Sequence, residues 1–252
     1  MNFLDSPNLP QNRVSHAFVG EKYVSELCEP LKKLGINALT VELDSNLPEP
    51  VSSHSDMLLM HLGENRLIFT QMQVGFAELR QNGAEISVLE TALGGKYPLD
   101  VTLNMLIIGK YVFGNAKCVT EQLYGMFKKE KLTFVDVRQG YAKCSVCIID
   151  EHAVITADSG LKRIFEAHGI EALKISEGFI NLDGYDYGFI GGASGKLAKD
   201  ILAFTGTLSK HPDRQRIENF ASKYGVEIIC LTDRDCFDIG SIIPIIEYGN
   251  IT

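Results

Sequence analysis

The sequence contains no run of more than three consecutive basic residues, and 24 Lys and Arg stand against 32 Asp and Glu, for a formal charge of −8. Chains that bind nucleic acid carry a clustered positive footprint for the phosphates, so no nucleic acid is expected as a partner. Long apolar runs are also missing. None approaches the ~20 residues that cross a bilayer, and the opening MNFLDSPNLPQNRVSH has neither the basic region nor the apolar core of a secretory signal. No membrane is therefore expected as a partner either, and the expected location is cytoplasmic. Cysteine is sparse. Cys28, Cys118, Cys144, Cys147, Cys230 and Cys236 are scattered among apolar neighbours, which reads as reduced core residues rather than a disulfide framework. No cofactor is called for, and the sequence carries no signal of oligomeric state.

What is present is a core-forming composition, 45% hydrophobic over 252 residues, and a recurring unit. GINALTV at 35–41, GAEISVL at 83–89, KLTFVDV at 131–137, GIEALKI at 169–175 and GVEIICL at 225–231 each follow an amphipathic segment, and four of the five begin with glycine. Glycine just beyond a helix supplies the left-handed cap that ends it, and the apolar run after it suits a short strand. Between these units lie hairpin-like pairs, DMLLMHL with RLIFTQ, NMLIIG with KYVFGN, SVCIIDE with HAVITAD, and the stretch YGFIGGASGKLAKDILAFTG. Spacings of about 40–55 residues signal a repeat architecture.

The expected fold class is therefore α/β, with five units at about 21–71, 72–115, 116–157, 158–206 and 207–252. Residues 1–14 are polar and proline-punctuated and are expected to form a flexible arm, with 15–252 as a single domain. The last unit has SIIPIIEYGN but no closing strand, and HAFVG at 16–20 is available to supply it. Pairing of the two would close a ring and remove exposed sheet edges.

Five helix-plus-hairpin units closed by exchange between the termini resemble the pentein fold, the α/β propeller of the guanidino-group-modifying superfamily. The resemblance covers about residues 16–250. It implies a central channel holding a cysteine nucleophile near the C-terminus, a histidine in the third unit, and carboxylates that grip a planar cation. Asp56 matches the acidic place in unit one. In unit two Asn104 stands where a carboxylate is implied, with Asp100 four residues earlier. In unit three Tyr141 and Lys143 stand for the histidine and its acidic neighbour, and in unit five Gly240-Ser241 stands for the cysteine pair. The expectation is a divergent member lacking the usual Cys/His pair, whose channel binds a small polar or zwitterionic ligand through Asp56, Asn104, Tyr141, Lys143, Asp186 and Ser241 without cysteine hydrolase chemistry. One alternative is a guanidino-modifying hydrolase or amidinotransferase-like enzyme with Ser241 or Cys236 as nucleophile and Lys143 or His54 as base. The other is a macromolecular binding ring resembling the ribosome anti-association factors.

Two further motifs give nothing in this reading. Cys144 and Cys147 sit three apart, which on a strand points them to opposite faces, so no metal is expected there. Gly191-Gly192-Ala193-Ser194-Gly195-Lys196 lacks the following Ser or Thr of a phosphate loop and reads as a hairpin turn.

Overall fold

A computed structural model of the chain describes residues 2–249. Met1 of the expected arm and residues 250–252 of the last unit lie outside the described residues. The chain begins with β1 (Asn2–Phe3), β2 (Val14–Gly20), α1 (Val24–Lys33) and β3 (Asn37–Val41). A single helical turn, α2 (Ser55–Leu58), runs directly into β4 (Leu59–Gly63), followed by β5 (Arg66–Phe69), α3 (Phe76–Gln81) and β6 (Glu85–Val88). Next come β7 (Leu106–Ile108), β8 (Tyr111–Gly114), α4 (Glu121–Lys129) and β9 (Thr133–Asp136). They are succeeded by β10 (Val146–Asp150), β11 (Ala153–Thr156), α5 (Ser159–Ala167) and β12 (Glu171–Lys174). The last group is β13 (Ser194–Ala198), β14 (Ile201–Phe204), α6 (Arg214–Lys223), β15 (Glu227–Cys230) and β16 (Ile243–Glu247).

Four sheets share one build. In each, an antiparallel hairpin is followed by a helix, and the next strand pairs in parallel with the hairpin's second strand: β4-β5-β6, β7-β8-β9, β10-β11-β12 and β13-β14-β15. The fifth sheet is assembled from both ends of the chain. β16 pairs antiparallel with β2, in a register that sets Ile243 against Phe18, and β2 pairs in parallel with β3. Each of the five sheets is open, so the loss of sheet edges expected from terminal pairing is not what is found.

Each of the five main helices buries one apolar stripe. Leu27 and Leu31, Leu123 and Phe127, Leu161 and Phe165, and Ile217 and Ala221 are buried pairs at i,i+4 spacing, and Phe76 with Leu79 at i,i+3 does the same in α3. Where each helix stops, the amide two residues past its last full turn bonds back across it. Ile170 N donates to Phe165 O and Gly169 N to Glu166 O, and the same pattern recurs at Ile36, Ala84, Leu132 and Val226. Gly169 has φ +78°, and the one junction without glycine, Lys131, takes φ +56°.

The N-terminal segment, expected as an arm, makes specific contacts with the end of the chain. β1 pairs with the free side of β16, Leu4 is buried, and the Glu247 carboxylate accepts hydrogen bonds from Gln11 N (2.7 Å) and Asn12 N (2.8 Å). Glu247 is thus tied to a segment whose proline content had suggested no partner. All six cysteines are free, but Cys28 is only half-buried and Cys230 is exposed, so neither is a core residue. Among the described residues no helix is long and apolar enough to cross a membrane.

Candidate functional site

Asn104, Cys144, Gly192 and Ser241 each stand two residues before a strand that pairs antiparallel within its sheet, ahead of Leu106, Val146, Ser194 and Ile243, and Asp56 stands just ahead of β4. Hydrogen bonds link these positions in succession. Asn104 Nδ2 donates to Asp56 Oδ1, Cys144 N donates to Asn104 Oδ1, Gly192 N donates to Cys144 O, Ser241 N donates to Gly192 O, and Asp56 N donates to Gly240 O. Five sheets therefore present their equivalent ends to one another.

Side chains fill the space between. Lys143 Nζ donates to Ser241 Oγ at 2.9 Å, and Ser241 Oγ donates to Asp56 Oδ2 at 2.6 Å, so a hydroxyl joins a buried ammonium to a buried carboxylate. The Cys144 thiol donates to the same carboxylate, 3.0 and 3.1 Å from its two oxygens, and accepts from Asn104 Nδ2 at 2.8 Å. Asp56, Asn104, Lys143, Cys144 and Ser241 are all buried.

On one side of this network lies a cavity of about 300 Å³ lined by His54, Tyr141, Cys144, Tyr185, Asp186, Tyr187, Phe189 and Asp238 together with Val51, Met57 and Leu182. No Lys or Arg lines it. Tyr141 and Phe189 stack with centroids 6.0 Å apart, and the Tyr141 hydroxyl donates to Asp100 Oδ2 at 2.9 Å. His54 is buried. Its Nδ1 approaches Asp238 Oδ1 at 3.7 Å, while its Nε2 has no hydrogen-bond partner. Asp238 is held by Phe189 N (2.8 Å) and Gly240 N (2.9 Å). Its seat requires glycine opposite, because a Cβ on Gly192 would fall 1.9 Å from Asp238 Oδ1.

Burial sets the protonation of this cluster. It pushes the His54 imidazole down to about 4 despite the opposing Asp56 charge, so the ring is neutral at pH 7 and its approach to Asp238 is not an ion pair. Burial also lifts Asp238 to about 6, against the two backbone donors that favour its charged form. Asp56 is raised by burial and pulled back chiefly by Lys143. The Cys144 thiol is raised well above its ordinary value, first by burial and then by the Asp56 and Asp238 charges. The resting thiol is therefore neutral, and a positive charge placed beside it is what would release its proton.

Of the residues expected from sequence, Asp56, Asn104, Lys143 and Ser241 meet in the network, Tyr141 and Asp186 line the adjoining cavity, and His54 joins them there. Lys143 faces the other side, in a small recess with Met60, His61 and Leu103. Cys236 is elsewhere, in a separate apolar cluster with Leu202 and Phe204, its thiol near Thr205 Oγ1 and pushed up to about 12 by burial. Sequence reasoning missed Cys144 and Asp238. The signal for Cys144 was its place two residues before a strand, which Asn104 and Ser241 share.

Residues 18–243 match a family of unknown function (DUF6873). The chain belongs to this family. No curated protein matches it. Among solved structures it is similar to the inosamine-phosphate amidinotransferase of Streptomyces griseus, with 11% identity and a TM-score of 0.59 over 99% of both chains. It is also similar to an amidinotransferase of saxitoxin biosynthesis from Microseira wollei, with 10% identity and a TM-score of 0.56 over 94% of this chain and 97% of that one. A third is the agmatine deiminase of C. jejuni with substrate bound, with 10% identity and a TM-score of 0.55 over 96% of both. At these identities the likeness is one of fold: the chain shares with these structures a mixed α/β fold built on small sheets.

Proposed function

We propose that the chain is a guanidino- or amidino-modifying enzyme whose nucleophile is Cys144, with His54 as its acid and base and Asp238 as the group that orients the imidazole. The observation that carries this reading is the cavity beside the thiol, whose lining combines Asp186 and Asp238 with Tyr141, Tyr185, Tyr187 and Phe189 and includes no Lys or Arg. Carboxylates and aromatic faces together suit a planar delocalised cation, and the cation's charge offsets the cost of forming a thiolate next to Asp56.

In the first step Cys144 Sγ gives its proton to His54 Nε2 and adds to the central carbon of the guanidinium. The bond from that carbon to the leaving nitrogen breaks, the amine departs with the proton from His54, and an S-amidino group remains on Cys144. Water, giving a proton to His54, then adds to that carbon; the C–S bond breaks, the sulfur regains a proton and one H⁺ is released, leaving a ureido product, whereas an acceptor amine in place of water leaves a new guanidine. Ser241 and Lys143 serve as the floor that fixes Asp56. The nucleophile and the acid/base group thus come from other units than the resemblance implies, which is how the chain diverges from the usual Cys/His places. The five open sheets, whose facing ends are hydrogen-bonded in succession back to Asp56, are arranged in this reading as a closed propeller around the site.

Arginine, agmatine, methylated arginines and a guanidino acid, each with and without an amine acceptor, form the assay panel, read by mass spectrometry of products. Turnover of at least one is expected, with a loss of at least ~10³-fold in Cys144→Ala. Turnover that survives Cys144→Ala but disappears in Ser241→Ala would overturn the assignment in favour of a serine nucleophile.

A further inference from the structure

The groups around the thiol also have the composition of a metal site. A sulfur of Cys144, an oxygen of Asp56 and a ring nitrogen of His54 lie within 4.8 Å of one another, and all three residues are buried. His54 Nε2 is a buried nitrogen with no partner, while Nδ1 faces Asp238 at 3.7 Å. A carboxylate behind the far nitrogen is the arrangement that orients a ligating histidine. We propose that His54, Asp56 and Cys144 together bind one borderline-soft divalent cation of the zinc class, through Nε2, a carboxylate oxygen and the thiolate, with the fourth position open to the cavity.

The donor set decides the class of ion. Thiolate and imidazole favour zinc-like ions over magnesium or calcium, which prefer all-oxygen shells. Tetrahedral zinc with bonds of about 2.0–2.3 Å places its donors roughly 3.3–3.6 Å apart. The Asp56–Cys144 pair at 3.0 and 3.1 Å has only to open slightly, and His54 has to move in from within 4.8 Å.

Charge balance is met as well. In the empty site the thiol proton lies against Asp56; the cation takes that proton's place, one H⁺ leaves, and the thiolate and carboxylate together neutralise the ion. Binding itself is independent of the enzymatic reading. Resting on that reading is one consequence: an ion held by Cys144 withholds the nucleophile, so the metal is a reversible inhibitor.

The test is a Co²⁺ titration of chelator-treated protein. A thiolate-to-cobalt charge-transfer band in the near ultraviolet that saturates at one equivalent and is displaced by Zn²⁺ is expected. It should vanish in Cys144→Ser, persist in Cys230→Ser, whose thiol is exposed, and need more than about tenfold higher cobalt in His54→Ala. Proton release on adding Zn²⁺ to the wild type in weak buffer gives a second reading that needs no variant, with about one proton per ion expected. Absence of the band, its survival in a folded Cys144→Ser, or metal uptake without proton release would each overturn the site. Turnover by metal-free protein is measured alongside, so that failure of the metal site and failure of the enzymatic assignment remain separate results.

Discussion

Ser241 shows how much depends on one hydroxyl. It is fully buried, holds the left-handed backbone conformation at φ +73° that side chains other than glycine avoid, and stands between the Lys143 ammonium and the Asp56 carboxylate. Removing the hydroxyl leaves a buried cation without its acceptor. Ser241→Ala is therefore expected to lower stability by about 2–4 kcal/mol, measured by urea denaturation; an unchanged denaturation midpoint would contradict it. Asn104 and Ser241 stand out in the sequence because each is followed by an apolar strand whose start can be read. Cys144 was passed over because the Cys144/Cys147 pair was taken to lie on one strand, whereas β10 begins at Val146 and Cys144 sits in the turn before it. Asp238 had no local mark to distinguish it from Asp233 and Asp235. Its role comes only from the approach of Gly192 and His54, residues distant in the chain.

At the scale of the element, the helix endings are the most legible feature, because their chemistry is local. A left-handed residue followed by an apolar one closes all five main helices, and its amide pattern was recoverable from four glycines and the homologous position of Lys131. Lys131 pays for that conformation where the other four do not. Lys131→Gly is expected to raise stability by about 0.5–1 kcal/mol, visible as a shift in denaturation midpoint without change in slope; an unchanged or lowered midpoint would mean that Lys131 has a compensating contact. The turn α2 was not legible. DMLLMHL reads as one strand, but its first residues instead form a helical turn that directs Asp56 N to Gly240 O at 2.9 Å. No periodicity in seven residues, five of them apolar, distinguishes these outcomes, since the partner that selects one is at the other end of the chain.

Across the whole molecule, the union of the two termini follows from counting strands. The last unit lacks one, the N-terminal segment has one to spare, and β2 pairs with β16. The docking of Asn2–Phe3 and the ties from Gln11 and Asn12 to Glu247 were invisible, because polar, proline-containing sequence carries no periodic signal even when it is fixed by a distant carboxylate. The same long-range assembly brings a thiol from one unit, an imidazole from another and a carboxylate from a third to one cavity, and the function proposed for them depends on recognition of a cation. Labelling with chloroacetamidine, which is cationic, and with chloroacetamide, its neutral counterpart, followed by intact-mass measurement and peptide mapping, separates that recognition from simple thiol exposure. One adduct at Cys144, formed faster with the cationic reagent and slowed in Asp238→Asn, is the expected result; equal rates for the two reagents, or labelling confined to the exposed Cys230, would contradict it.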